Sequence, residues 1–232
     1  MSEKKKSNQA NTAPLIATII VAVAAIAAVI VLLVISGSKN EDSEPSSSNN
    51  SGFTVTAELI EECSDNASDL VRQNYEIIKL FVTEGLPKKP EPYGNEPEDG
   101  IYTVDSGEYT RLSQIEELVR SVYVEGESER ILHRMGVTLE DGTTALMEVY
   151  KNREVFGETF LGIDARFRPD ANYSHDWSNC IVEIQPTGET VCEITVYVNG
   201  ISAEEASAHP ESVIKTEMVK QDGVWRLSQV LL

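Results

Sequence analysis

The apolar residues of this chain follow three successive patterns: one unbroken run, then helical spacing, then alternation. The unbroken run is Leu15–Ile35, 21 residues without a charge. Because a helix rises about 1.5 Å per residue, this run can cross the roughly 30 Å hydrocarbon core of a bilayer once. We therefore predict a transmembrane helix over residues 15–35. A tail (1–14) precedes it, and a Ser/Asn-rich linker (36–52) and one domain (53–232) follow.

The charges on either side of the run indicate its orientation. Lysines occupy positions 4–6, and acidic residues lie between positions 41 and 44. Basic residues stay on the cytoplasmic side, so the tail is predicted inside and the domain outside. A cleaved signal peptide is the alternative, because small residues at 36–38 follow the run. Its length exceeds the roughly 7–15 apolar residues of a signal sequence and favours a retained anchor. This layout is typical of a Gram-positive surface protein.

Helical spacing marks the first half of the domain. One 3.6-residue face predicts a first helix that ends before Gly85 and Pro87, and its buried positions are Ala67, Leu70, Val71, Asn74, Ile77, Ile78 and Phe81. The four prolines between Pro87 and Gly100 predict an extended loop, and Ile101–Asp105 a short strand.

Two further helices are predicted after that strand. A capping box at Ser113–Glu116 predicts the start of the second helix, whose buried stripe is Ile115, Leu118, Val119 and Val122. The third helix is predicted to begin at Ser128 and to pack Ile131, Leu132 and Met135.

Alternating or continuous apolar residues mark the second half and predict strands. Asp222-Gly223, between the last two strands, is a strong hairpin signal. Helices first and antiparallel hairpins afterwards predict an α+β fold, with helices packed on one face of a curled antiparallel sheet. The predicted strands are Ala145–Tyr150, Glu158–Ile163, Asn179–Gln185, Val191–Val198, Val213–Lys220 and Val224–Leu231.

The charge of the chain lies entirely in this domain. The formal net charge is −19, and the lysines and acidic residues of positions 1–52 cancel, so residues 53–232 hold all of it. A surface of this sign repels nucleic acid and anionic lipid. It attracts a basic partner or divalent cations, with an association that weakens as salt rises. Solubility alone is the alternative explanation.

The three cysteines are interpreted as small buried hydrophobic residues without bridges. Cys180 and Cys192 flank a predicted hairpin, and matching its apolar faces pairs Cys192 with either Ile184 or Val182. Either register leaves Cys180 too far along the strand for a disulfide. Cys63 has no predicted partner.

No catalytic or metal-binding motif is present in the sequence. The histidines at 133, 175 and 209 lack metal-ligand spacing, and there is no nucleophile elbow, phosphate loop or dinucleotide fingerprint. Cysteines on apolar strand faces make poor nucleophiles. We therefore predict no catalytic residue, cofactor or metal, and no enzyme activity.

One irregular stretch is rich in binding chemistry. Asp164–Trp177 combines aspartates, arginines and aromatic residues between two predicted strands, a content typical of an interface. The alternative is a structural loop in which Tyr173 and Trp177 cap the core and Asp176 bonds a backbone amide. An acid–base pair of His175 and Asp176 is disfavoured, because neighbours in an extended segment point to opposite faces. The candidate partner-binding residues are Asp164, Arg166, Phe167, Asp170, Tyr173, His175, Asp176 and Trp177.

The closing segment Glu217–Leu227 resembles the final hairpin of nuclear-transport-factor-2-like and cystatin-like domains. From about Asp69 to the end, the chain also resembles IseA-type inhibitors of DL-endopeptidases. The helix with Tyr75, the segment Leu112–Tyr123 and the hairpins from Ala145 to Val198 carry this likeness. The resemblance implies a protein of Gram-positive bacteria that blocks cell-wall hydrolases through an acidic surface. The membrane segment and the long Pro/Glu loop depart from that pattern.

These observations predict a membrane-anchored, extracellular, non-enzymatic domain that binds a basic partner, namely a peptidoglycan hydrolase. A small-molecule-binding module is the main alternative, because curled sheets covered by helices often leave an apolar pocket. An enzyme of the same fold ranks third.

Overall fold

A computed structural model describes residues 53–91, 94, 96–139 and 142–232. The predicted tail, membrane span and linker, residues 1–52, lie outside the described residues. Within the described ranges, no helix is both long enough and apolar enough to cross a membrane.

The described part of the chain forms three α-helices and nine β-strands, with helices first and most strands after them. The helices are α1 (Ala57–Ile78), α2 (Leu112–Val122) and α3 (Glu125–Arg134), and a π-helical turn, Lys79–Thr83, extends α1. The strands are β1 (Ile101–Thr103), β2 (Met135–Thr138), β3 (Thr144–Met147), β4 (Tyr150–Val155), β5 (Glu158–Asp164), β6 (Ile181–Pro186), β7 (Val191–Tyr197), β8 (Val213–Gln221) and β9 (Val224–Leu227).

The first helix confirms the helical spacing, and all of its predicted face is buried. It begins earlier than the pattern alone indicates, because the Thr56 side chain accepts a hydrogen bond from the Leu59 amide at 3.2 Å and caps it. Gly85, with φ of 69°, follows the π-helical turn. That conformation suits glycine and ends the helical stretch.

Two predicted helix starts are wrong. The second helix begins at Leu112, with Arg111 rather than Ser113 as its N-cap, because the Gln114 side chain accepts the amides of Thr110 and Arg111 at 2.8 and 2.9 Å. The third begins at Glu125, and Ser128 lies buried inside it. The Ser128 hydroxyl donates to the carbonyl of Tyr123 at 3.2 Å, so its polar group binds backbone within the core rather than capping the helix.

The α+β prediction is confirmed, with helices packed against antiparallel sheets. The described strands form three sheets where one was expected: β6-β7-β8-β9, β1-β5-β4 and β2-β3. The predicted strand Ala145–Tyr150 belongs in fact to two strands, since β3 ends at Met147 and β4 begins at Tyr150. Helix α1 packs on α2 and on β6 and β9, and the core between this helix and the four-stranded sheet continues into α2, α3 and the two smaller sheets.

The hairpin of β6 and β7 has a register that neither prediction anticipated. Cys192 pairs with Pro186, while Ile184 pairs with Ile194. The inward faces are as predicted, but Cys192 pairs two residues beyond Ile184 and four beyond Val182, so that Pro186 belongs to the ladder. Proline is tolerated there because β6 is an edge strand. Cys63, Cys180 and Cys192 are all free, as predicted, and Cys63 and Cys192 are buried, but Cys180 is only half-buried.

Candidate functional site

The predicted binding loop begins at Asp164, a carboxylate that the fold buries. Arg166 donates to it from its amide at 2.9 Å and from its guanidinium at 3.0 Å, and the Lys151 ammonium donates at 3.1 Å. Burial opposes ionisation of Asp164, but these hydrogen bonds outweigh it and lower the pKa to about 2. Asp164 is therefore ionised at neutral pH and fixes the first turn of the loop.

Phe167 continues the loop toward the core rather than toward solvent. Its ring is buried and lies directly on Gly85, where any Cβ atom would overlap it. Three residues later, the Asp170 amide donates to the carbonyl of Val82 at 2.7 Å. The loop is thus attached to the π-helical turn on one side.

The end of the loop is an aromatic cluster packed on α1. Trp177 is buried, stacks on Tyr75 with ring centroids 6.2 Å apart, and donates its indole N–H to the Tyr173 hydroxyl at 2.8 Å. Tyr173 in turn contacts the His175 ring edge-to-face at 5.4 Å. His175 Nδ1 is buried and has no hydrogen-bond partner among the described residues.

Among the described residues, the hydrogen bonds of Asp176 go to partners other than His175. Its carboxylate accepts the amide of Ser178 at 2.9 Å, and its own amide donates to Asn199 at 2.6 Å. The structural elements of the alternative interpretation are therefore present: Tyr173 and Trp177 cover the core, and Asp176 bonds a backbone amide.

The predicted binding residues divide by exposure. Arg166 and Asp176 are exposed, and Asp170, Tyr173 and His175 are half-buried. By contrast, Asp164, Phe167 and Trp177 are buried and hold the loop in place. A partner that binds this loop would contact the first group.

A cavity of about 260 Å³ lies beside the start of the loop. Its wall comes from separate segments and is lined by residues that include Leu86, Lys88, Tyr102, Phe167 and Arg168. The Lys88 ammonium lies 5.0 Å from the centre of the Tyr102 ring. Burial, and then the positive charge of Arg168, lower the pKa of Lys88. Sequence reasoning missed this cavity because no motif links its segments.

The solvent face of the four-stranded sheet presents a second unpredicted arrangement. Glu193 on β7 pairs directly with Glu217 on β8, and both are exposed. Their chain neighbours Cys192 and Met218 point inward and are buried, so the glutamates share the outer face. Alternation in the sequence places each of them outward, but only the strand register brings them together.

Within the described ranges, no group of three or more His, Cys, Asp or Glu side chains is arranged to hold a metal ion. No protein-family model matches the chain, and no curated protein matches it. The resemblance to IseA-type inhibitors stays a prediction.

Proposed function

We propose that residues 53–232 are a non-enzymatic extracellular domain, held at the cell membrane by residues 15–35, that binds a basic partner protein. The proposed partner is a peptidoglycan hydrolase that the domain inhibits. The net charge of −19 and the resemblance to IseA-type inhibitors support this function. The observation that carries it is the Glu193–Glu217 pair on the outer face of the sheet.

Two glutamates directly opposite each other on neighbouring strands destabilise a sheet. Cross-strand partners have Cβ atoms about 4.5–5.5 Å apart, and like charges at that distance repel. Within the described residues neither carboxylate forms an ion pair, although Lys215 projects from the same face of β8. Local conflicts of this kind are expected where function requires them. A basic partner would relieve the repulsion on binding.

The negative electrostatic field of the domain should also raise the rate at which a basic partner associates with it. A strongly negative surface attracts a positive partner over distances set by the Debye length, about 30 Å at 0.01 M salt and about 8 Å at 0.15 M. Because rim charges act mainly on the association rate, that rate should fall steeply between these two salt concentrations.

The test is association of the purified domain with the catalytic domain of a basic DL-endopeptidase, measured at both salt concentrations together with wall hydrolysis. We expect inhibition of hydrolysis and about a tenfold slower association at the higher salt. The Glu193→Gln/Glu217→Gln variant should associate more slowly than wild type at the lower salt.

The matched control is Glu117→Gln/Glu204→Gln, which removes the same charge from exposed positions on α2 and in the loop before β8. Equal effects of both double variants would mean that only net charge matters and would remove the sheet face from the site. Absence of binding at low salt would contradict the proposed function.

A small-molecule function is the second candidate, and the cavity beside Lys88 favours it. Basic groups (Lys88, Arg168) and acidic groups (Glu84, Glu96) line the cavity together with apolar side chains. Such a lining suits an amino acid or short peptide that carries both a carboxylate and an ammonium. Calorimetric titration with zwitterionic amino acids should give heat that Lys88→Glu abolishes and Lys89→Glu, at the exposed neighbouring lysine, does not.

A further inference from the structure

The tip of the β4–β5 hairpin exposes a phenylalanine completely. Phe156 has a relative accessibility of 105%. Strands β4 and β5 pair up to Val155 and Glu158, so Phe156 and Gly157 alone form the turn. The flanking positions 154–159 are exposed or half-exposed, and the hairpin end therefore projects from the domain. An aromatic side chain at this position buries nothing within the described structure.

The backbone at Phe156 is also strained for this residue type. Phe156 and Gly157 have φ of 52° and 84°, the left-handed pair of a type I′ turn. Asn-Gly and Asp-Gly are the preferred residues there, and a bulky residue with positive φ is an outlier. The chain uses the preferred solution at its β8–β9 hairpin, where Asp222 and Gly223 have φ of 52° and 80°. Phe156 thus replaces a residue that would suit the fold better.

The surroundings of the tip indicate what it contacts. Glu154 and Glu158 are exposed beside it, and Thr159 donates its hydroxyl to Glu154 at 2.5 Å. Carboxylates this close disfavour insertion into an anionic membrane, and the net charge of −19 disfavours pairing with a second copy. An apolar ring with an acidic rim complements an apolar pocket with a basic rim.

We propose that Phe156 is the anchor by which this domain enters an apolar pocket, framed by basic residues, on its partner protein. The inference rests on the proposed function for the partner's charge, and it adds a contact that the acidic sheet face does not supply. Interface anchors of this type are typically aromatic, central and enclosed on binding.

The test exploits the conflict between fold and binding at one position. Phe156→Asn supplies the residue that a type I′ turn prefers, so the midpoint of thermal unfolding should rise by about 2 °C. The same change removes the anchor, so affinity for the basic DL-endopeptidase domain should fall roughly thirtyfold. Leu146→Asn is the control, since Leu146 is also an exposed apolar residue, 64% accessible, on β3. It should leave affinity unchanged.

Each other outcome contradicts a specific part of the inference. Full affinity in Phe156→Asn, with salt dependence retained, overturns the anchor and leaves the proposed function intact. Lower thermal stability in Phe156→Asn overturns the argument from strain. Binding of the wild-type domain to phosphatidylcholine or phosphatidylglycerol vesicles that Phe156→Asn abolishes would assign the tip to the membrane instead. If wild type binds no hydrolase domain, the proposed function fails and the anchor fails with it.

Discussion

At the scale of single residues, Asp164 shows how one buried carboxylate organises a loop. It accepts hydrogen bonds from Arg166, which lies two residues ahead, and from Lys151 on the neighbouring strand β4. Its side chain is only 5% exposed. A buried charge is tolerated only when it is paired, and here two cations pair with it. The loop therefore begins in a fixed conformation before any partner arrives.

This pairing predicts a pH-dependent contribution to stability. The pKa of about 2 in the folded state lies below the roughly 3.9 of an unfolded aspartate. Ionised Asp164 thus stabilises the fold above about pH 4, and the contribution is lost as the pH falls through about 2. Urea unfolding of Asp164→Asn should show a loss of roughly 2 kcal/mol at neutral pH, and this difference should shrink below about pH 4.

Asp170→Asn is the matched control for that measurement. Asp170 lies in the same loop, but its carboxylate accepts only the nearby amide of Asn172, at 2.9 Å. Its replacement should cost well under 1 kcal/mol, as for most surface positions. A pH-independent loss in Asp164→Asn would mean that shape, not charge, makes this residue important.

At the scale of elements, the contact of Gly85 with Phe167 joins the end of the first helical stretch to the loop. Gly85 and Gly100 both have positive φ, 69° and 66°. A Cβ on Gly85 would meet the Phe167 ring, whereas nothing lies within 4 Å of one on Gly100. Both glycines thus need a left-handed backbone conformation, and they differ in that only Gly85 lies against the Phe167 ring.

The pair separates backbone strain from steric overlap. Gly100→Ala should lower the free energy of unfolding by about 1 kcal/mol, the cost of a left-handed residue with a side chain. Gly85→Ala should cost a further 1–3 kcal/mol or so, because the ring must move. Chemical denaturation of both variants, and of Gly85→Ala combined with Phe167→Ala, measures this. Equal losses in the two glycine variants, or full additivity with Phe167→Ala, would show that the ring moves without cost.

Helices and strands with a clear hydrophobic periodicity could be predicted from the sequence. Those defined by contacts between segments far apart in the sequence could not. The buried face of α1 follows from six positions at helical spacing, five of them apolar and one Asn74, and Phe81 continues that face in the π-helical turn. Strand β4 was missed because its sequence YKNREV is mostly polar and is defined only by pairing with β5. The start of α2 lies two residues before the predicted one, with Arg111 rather than Ser113 as the N-cap, because the Gln114 side chain accepts the Arg111 amide.

The candidate sites show the same limit. The loop from Asp164 to Trp177 was identified from composition, but the burial of Phe167 and Trp177 depends on Gly85 and Tyr75, far away in sequence. The Glu193–Glu217 pair depends on a register that the sequence left open. Local patterns record which face a residue occupies, whereas tertiary packing decides what it meets there.

At the scale of the whole molecule, Asn74 connects the first helix to the last residues of the chain. Asn74 is completely buried on the apolar face of α1. Its Oδ1 accepts the Tyr123 hydroxyl at 2.6 Å and the Leu231 amide at 3.0 Å, and its Nδ2 donates to the Leu231 carbonyl at 3.3 Å. One side chain therefore holds the start of the domain, the end of α2 and the end of the domain together.

We expect Asn74→Ala to destabilise the whole domain. The substitution leaves a buried hydroxyl and a buried amide without acceptors, and each such group costs about 1–3 kcal/mol. The free energy of unfolding should therefore fall by roughly 3 kcal/mol or more, measured by urea denaturation of residues 53–232. Asn66→Ala is the control, since Asn66 lies on the same helix, is half-buried and bonds only the Glu62 carbonyl, at 2.7 Å. Equal losses in the two variants would show that helix propensity, rather than this junction, holds the two ends of the domain together.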